Sequence, residues 1–447
     1  QVLLFVMELC RQNIFLLILG GLLFFLQFCT TLILINMLNL DNFYKARYVL
    51  SHIIRRTDLI HAPNINVESD IYLKPENLQT TGSFKLRGAC YKISQLSEEE
   101  KMRGVIACSA GNHAQGVALG ASAHGIKSLI CLPEGAPMSK VEATRHYGAE
   151  IRLVPGVYDD AFQEAIRLRD EHGYTFIHPF DDEHVIAGQG TIGLELLDQL
   201  PDLDAVIVPI GGGGLISGIA FAIKSLNPRI KVYGVQAQGA PSMLHSLEQQ
   251  CRTTLSAVST IADGIAVKEP GHITYDTCCK YVDEIVTVTE DEICAAILAL
   301  LEQQKLIAEG AGAVSVAAAM FNKVPIKGKK TVCIVSGGNI DVTILSRVIS
   351  RGMAKSGRVF TFSVELEDKP GQMVEVSKVV AQLGGNVIRV QHERNDDSQQ
   401  VNSCELRMTV ETRNEEHIES IRQALLKEGF NFCLLYTSPS PRDRSLS

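Results

Sequence analysis

The chain has 447 residues, 46% of them hydrophobic and 21% charged, with no tryptophan and a formal net charge of −8. That length fills two or three domains with sizeable cores. The acidic balance gives no support to nucleic-acid binding, which draws on basic faces.

The 12 cysteines are scattered and form no CxxC pair, so neither a metal site nor a disulfide framework is read from them. Free thiols suit a reducing compartment, and a cytoplasmic location is expected. Near the start, "IFLLILGGLLFFLQFCTTLILI" (Ile14 to Ile35) is apolar throughout and long enough to span a bilayer. It has neither a convincing basic leader nor a small-residue cleavage site. Residues 1–36 therefore read either as a membrane anchor or as an extension foreign to the soluble chain that opens at Met37.

From residue 37 to about 350, buried-looking strands alternate with helical patterns. "GVIACSA", "SLICLPE", "AVIVPIGGGG", "KVYGVQA" and "KTVCIVSGGN" are short apolar runs ending in loops, separated by segments of helical spacing such as "DDAFQEAIRLRDEHG". That alternation predicts parallel sheets with helices on both faces, whose ligands sit at the carboxyl ends of the strands. After the basic, linker-like "SRGMAKSGR", a second pattern begins. "FTFSVEL" alternates strictly, Val376, Val379, Val380 and Leu383 recur at helical spacing, "CELRMTV" alternates again, and a helix carries Ile418, Ile421 and Leu425. Residues 359–432 thus predict a small α+β module with a one-sided antiparallel sheet, its final strand weak or missing. Residues 433–447 lose all periodicity and read as a tail outside the fold.

Three loops carry chemistry. In "TTGSFKLRGA", Lys85 taken alone reads as a solvated lysine; it serves as a nucleophile only if its pKa is lowered and a carbonyl is held beside it. In "PIGGGGLISG", four glycines between an apolar strand and a helix can aim backbone N–H groups at an anion, with the helix dipole behind them. A tight turn is the plainer reading, but four glycines in succession weaken a fold without packing anything. The loop fits neither the Walker nor the dinucleotide pattern. In "CSAGNHAQG", Ser109, Asn112 and His113 bring three polar groups to one strand end, where capping accounts for one. "VSGGNID" repeats the theme with Ser336. An amine, a phosphate cup and polar strand-end loops together suit a phosphorylated aldehyde such as pyridoxal 5′-phosphate.

Taken in order, "ENLQTTGSFKLRGA", "SAGNHAQG", "GGGGLISG", "TIADGIAV" and "SGGNID" resemble the serine/threonine dehydratase family of fold-type II pyridoxal-phosphate enzymes, across roughly residues 37–349. The resemblance implies an α/β fold of tryptophan synthase β type, with two parallel-sheet subdomains, the smaller at about residues 90–185. It implies that Lys85 carries the cofactor as a Schiff base and moves the substrate's α-proton. Phe84 would lie against the cofactor ring, and Asn112 would bond its 3′-hydroxyl. Gly211, Gly212, Gly213, Gly214 and Leu215 would hold the phosphate, and Ser336 would face the ring nitrogen. Ser109, Asn112 and His113 would receive the substrate carboxylate.

The activity implied is β-elimination from L-threonine, with L-serine secondary, giving 2-oxobutyrate and ammonia. A serine dehydratase, a serine racemase or a catalytically dead amino-acid sensor are the alternatives. Racemising relatives carry a serine where this chain has Ala110, and acidic cation ligands where it has Gln236 and Ser242, so elimination without magnesium is favoured.

The segment "ELEDKPGQMVEVSKVVAQLGGNV" resembles an ACT domain. That implies a homo-oligomer, dimer or tetramer, and an amino-acid effector such as isoleucine near Asp368, Gly371 and Asn386. A purely structural dimerisation module is the alternative.

Overall fold

The computed structural model describes residues 38–393 and 403–435; the apolar run of residues 14–35 and the chain beyond 435 lie outside them. Among the described residues no helix is long and apolar enough to cross a membrane. The chain divides after Ile340 into two units.

The strands of the first unit are β1 (Ile60–His61), β2 (Asp70–Pro75), β3 (Val105–Cys108), β4 (Ser128–Pro133), β5 (Glu150–Val154), β6 (Thr175–Phe176), β7 (Ala205–Pro209), β8 (Lys231–Ala237), β9 (Glu284–Val288) and β10 (Lys330–Val335). They form a six-stranded sheet ordered β1-β2-β10-β7-β8-β9 and a four-stranded sheet ordered β5-β4-β3-β6. Only the β1–β2 pair is antiparallel; every other pairing in the two sheets is parallel. β3 and β7 are buried at every position, as strands covered by helices on both faces must be. Because β2, β10 and β7 are parallel neighbours, the loops leaving their carboxyl ends open on one sheet edge. Those loops carry Lys85, Ser336 and the four glycines.

Close helix contacts fix where these loops point. The helix Lys85–Ser94 crosses the helix Glu183–Gln199 at Gly88 and Gly188, where a Cβ on Gly188 would lie 2.7 Å from the Arg87 carbonyl oxygen. The helix Gly214–Leu226 meets the same neighbour at Gly218, where a Cβ would lie 2.4 Å from the Ile186 carbonyl oxygen. Glycine-lined crossings of this kind let backbones approach until any added methyl group overpacks the site. One helix thereby sets the starts of two others, the first bearing the lysine and the second closing the glycine loop.

The second unit begins with the helix Val342–Lys355 and continues through β11 (Val359–Glu367), the helix Gln372–Gln382, β12 (Asn386–Glu393), β13 (Ser403–Glu411), the helix Glu415–Lys427 and β14 (Asn431–Leu435). Its antiparallel sheet is ordered β12-β13-β11-β14. Phe360, Phe362, Val364 and Leu366 of β11 are buried, as their alternation predicts, with Cys404, Leu406, Met408 and Val410 of β13 beside them. The final strand is present, contrary to expectation: β14 pairs with β11 from Asn431 opposite Glu365 onward. Phe432 and Leu434 pack on the core; the strand reads "NFCLL", apolar at four successive positions, so it offers no alternation to mark it beside the aperiodic end of the chain.

Candidate active site

The loop that bears Lys85 is stitched to the loop after β10. Phe84 N–H donates to the Ser336 carbonyl at 3.0 Å, Gly338 N–H donates to the Gly82 carbonyl at 2.9 Å, and Ser83 bridges Gly337. Lys85 opens its helix and donates from Nζ to the Pro179 carbonyl at 2.8 Å, with Nζ 5.4 Å from the centre of the Phe84 ring. Burial pushes its pKa down to about 8, against the opposing pull of Glu309. An amine so placed is half neutral near pH 8 and largely neutral, hence nucleophilic, above it, well below the range of an ordinary lysine.

The glycine loop leaves β7 and enters the helix Gly214–Leu226 through Gly213, whose φ of +98° is left-handed. A Cβ on Gly212 would meet three Phe180 ring carbons at 2.4, 2.4 and 2.5 Å, one on Gly213 would meet Met243 and Thr274 at 2.7 Å, and one on Gly214 would meet Phe180 Cα at 2.9 Å. Gly211 leaves 3.0 Å to Ile265 Cα, and Leu215 is buried. Neighbouring groups therefore pack against all four glycines, a structural reason for their small size beside the anion-binding one. Their missing side chains admit Phe180, Thr274 and Met243 around a loop whose N–H groups sit at a helix start.

The third wall comes from the smaller sheet. Asn112 begins the helix Asn112–Ala123, which reaches the Lys85 backbone because Gly116 has no side chain: a Cβ there would lie 3.1 Å from the Lys85 carbonyl oxygen. Asn112 Nδ2 donates to Glu309 Oε1 at 2.7 Å, and its Oδ1 accepts from Asn339 Nδ2 at 2.7 Å. Asn339 in turn donates to the Thr81 carbonyl at 2.8 Å. The amide is thus held in one orientation with its second N–H uncommitted.

Of the other residues singled out by sequence, Ser109 Oγ accepts from Gly111 N–H at 3.2 Å. The His113 ring turns inward and donates from Nε2 to the Ile177 carbonyl at 2.8 Å. Burial, then the nearby Lys85, push its pKa down to about 3, so the ring is neutral and its backbone N–H is the group left for the rim. Ser336 is buried, and its hydroxyl donates to the Ala311 carbonyl at 3.2 Å. Gln236 is buried and turns its amide N–H groups to the carbonyls of Ile210 at 3.4 Å and Ala240 at 3.3 Å. In the second unit, Gly371 (φ +96°) precedes the helix Gln372–Gln382, Asp368 is exposed past the end of β11, and Asn386 Nδ2 donates to Glu411 at 2.8 Å.

Sequence reasoning missed Glu309, Asn339 and Phe180. Glu309 is 5% exposed and precedes the helix Gly310–Met320 without capping it, its carboxyl aimed at Asn112 instead. Burial, reinforced by Asp263, pushes its pKa up to about 7. The signal was available, since Glu309 is the one charged residue between Lys305 and Lys323, and a lone acid in a buried apolar run needs a partner.

These residues fit a phosphorylated aldehyde. The amine is activated, the glycine loop has no side chain to exclude a phosphate, and among the described residues the buried hydroxyls of Ser83 and Thr81 have no hydrogen-bond partner. A neutral-capable lysine set between two parallel sheets at the rim of such a cup defines a fold-type II pyridoxal-phosphate enzyme. Residues 50–337 match the family described as pyridoxal-phosphate dependent enzyme, and the chain belongs to it. It is 48% identical over 396 residues to the L-threonine ammonia-lyase of Thermotoga maritima, covering 88% of this chain and 98% of that one. Among solved structures, maize serine racemase superposes with a TM-score of 0.67 at 34% identity, covering 71% of this chain and 98% of that one. The processed threonine deaminase isoform 2 of Solanum lycopersicum does so at 0.66 and 38%, covering 70% and 88%.

Proposed function

We propose that the chain is an L-threonine ammonia-lyase, releasing 2-oxobutyrate and ammonia, with L-serine as a secondary substrate. The observation that carries this reading is Lys85, an amine with its pKa near 8 at the edge of a glycine cup. It is supported by relatives that bear that name at 45–48% identity. When bound, pyridoxal phosphate supplies an electron sink for the pair left by the α C–H bond.

The chain's own residues do the rest. Gly211, Gly212, Gly213, Gly214 and Leu215 present backbone N–H groups to the phosphate, Phe84 backs the ring, and Ser336 meets the ring nitrogen with a neutral hydroxyl. Asn112 offers its uncommitted N–H to the 3′-oxygen. Ser109, Asn112 and His113 orient the substrate carboxylate, leaving Lys85 Nζ to take the α-proton. The β-hydroxyl then departs as water, one proton reaching it for the one that Lys85 took from Cα, and water adds to the released enamine to give the 2-oxo acid and ammonia.

Racemisation needs a second base on the opposite face, and the side chain of Ala110 has no proton to give or take. Residues 359–432 act as an ACT domain that pairs between subunits, with an amino-acid effector received near Asp368 and Gly371; within one chain Asn386 stands opposite Glu411, at the other end of the sheet from Asp368. The ten cysteines of the described residues are free thiols, in keeping with a cytoplasmic enzyme. The test is 2-oxo acid release from L-threonine and L-serine by the cofactor-loaded chain, beside Lys85→Ala. Turnover of threonine that vanishes in the variant together with the lysine-bound cofactor's visible absorbance supports the proposal. An unreactive chain that still shows this absorbance overturns it.

A further inference from the structure

We infer that the second unit carries a binding site for a divalent transition-metal ion of the zinc class, formed by Asp368, His392 and Cys404. One carboxylate oxygen, one imidazole nitrogen and the thiol sulfur lie within 4.8 Å of one another. A tetrahedral zinc ion with bonds of roughly 2.0–2.3 Å sets its donors about 3.3–3.8 Å apart, so small side-chain rotations close the site without moving a strand.

The sheet explains why the three meet. In the ladders, Cys404 stands opposite Leu366 and His392 opposite Leu406, and residues paired across strands share a face. Leu366, Cys404 and Leu406 belong to the buried face that packs on the helices. Asp368 follows Glu367, the last residue of β11, in the bend that ends the strand, and its carboxylate comes within reach of the other two donors. An acidic group and an imidazole thus meet at the same end of three adjacent strands, beside a thiol. Asp368 and His392 are exposed there while Cys404 is buried, which gives an ion an entry path and a dry floor. The thiol donates to the Leu366 carbonyl at 3.6 Å, a weak bond easily given up.

The donor set selects the ion. Sulfur and imidazole favour zinc, cobalt or nickel over magnesium and calcium, which prefer all-oxygen shells. Three protein ligands leave a fourth position for water. Binding requires the thiolate, so one proton leaves Cys404 Sγ for each ion bound. The site is separate from the lyase reaction, but it shares Asp368 with the proposed effector position, so the two ligands would compete there.

The test is a titration of the full, cofactor-loaded and chelator-stripped chain with Co²⁺, in the absence of amino acids, read by the d–d bands to the red of the cofactor. The expected result is one equivalent per chain with intense tetrahedral bands, release of one proton, and bleaching by Zn²⁺. Cys404→Ser and His392→Ala each weaken binding at least about tenfold; His392 is exposed, so its replacement keeps the fold. Replacing the exposed thiols Cys251, Cys279 and Cys433 by serine leaves the titration unchanged. Weak octahedral bands, no saturation at one equivalent, or a titration indifferent to His392→Ala overturns the inference.

Discussion

Asn112 donates to Glu309 across 2.7 Å and a separation of 197 residues, so a side chain from the smaller sheet's subdomain is oriented by an acid from the larger one. Glu309 also acts on Lys85 through space, its carboxylate holding the lysine pKa higher than burial alone would. Two effects can therefore be separated. Glu309→Gln keeps an acceptor for Asn112 but deletes the negative charge, and Lys85 then loses its proton at lower pH than in the wild type. Glu309→Ala also frees the Asn112 amide, which costs a further factor of about 10–100 in turnover, the worth of one oriented hydrogen bond to a polar partner. The measurement is the pH dependence of cofactor capture by the apoenzyme, followed by absorbance. If Glu309→Gln leaves the inflection where it was, the two groups are not coupled.

The wild-type inflection is itself a prediction. Only the neutral amine attacks an aldehyde, so capture accelerates as pH rises through the Lys85 pKa of about 8 and levels off above it. An ordinary lysine would show its plateau beyond about 10.4. His113, held neutral with its pKa near 3, adds no inflection in the usual histidine range. A capture rate still climbing at pH 10 would refute the burial argument.

Gly212 and Phe180 form a testable pair. Gly212→Ala drives a Cβ to within 2.5 Å of the ring carbons, an overpacking that costs about 1–3 kcal/mol and closes the cup. Phe180→Ala removes the obstacle. The double variant should recover much of the thermal stability and phosphate affinity that Gly212→Ala loses, since contacting residues are non-additive. Inorganic phosphate protection of the apoenzyme measures the second quantity. Strict additivity would mean that the loop's conformation, not the ring, requires glycine.

How much of this was legible in the sequence follows from the range of the interactions involved. β3, β7, β8 and β10 were readable because an all-apolar run of strand length is a local signal, and the alternation of β11 and β13 is equally local. Lys85, Asn112 and the glycines stood out through their flanking motifs. The Asn112–Glu309–Asn339 constellation did not, because its members lie more than two hundred residues apart at the extremes and are joined only by folding. Phe180 was missed for a related reason: its role is to occupy the volume that Gly212 leaves, and neither residue announces the other. β14 escaped because its four successive apolar residues, Phe432 to Leu435, show no alternation and run directly into the aperiodic residues that follow.

Arg87, two residues past the lysine, anchors its helix from beneath. The side chain is fully buried and donates to Glu76 from Nε and Nη2 at 2.8 Å each, and to Glu195 from Nη1 at 2.6 Å and Nη2 at 3.0 Å. Lys74, also fully buried, donates to the same Glu195 at 2.5 Å, so two cations and two carboxylates balance. Removing one partner leaves an uncompensated buried charge, at a cost of about 3–5 kcal/mol; Arg87→Met therefore lowers the unfolding midpoint sharply.

The pH dependence gives the sign. In the wild type, burial would raise the Glu195 pKa, but Arg87 and Lys74 outweigh it and hold that pKa below the usual range. A depressed carboxylate stabilises above its unfolded pKa of about 4.3 and loses that contribution as pH falls toward its folded value. In Arg87→Met the main depressing partner is gone and burial prevails, so the network takes up a proton in the folded state more readily than when unfolded. The variant's deficit relative to the wild type should then shrink between pH 7 and pH 5, a difference from which groups such as Glu309 and His113, shifted in both proteins, cancel. Unfolding midpoints of both proteins at those two pH values decide it, and a deficit that stays constant would show that the loss is one of packing rather than charge.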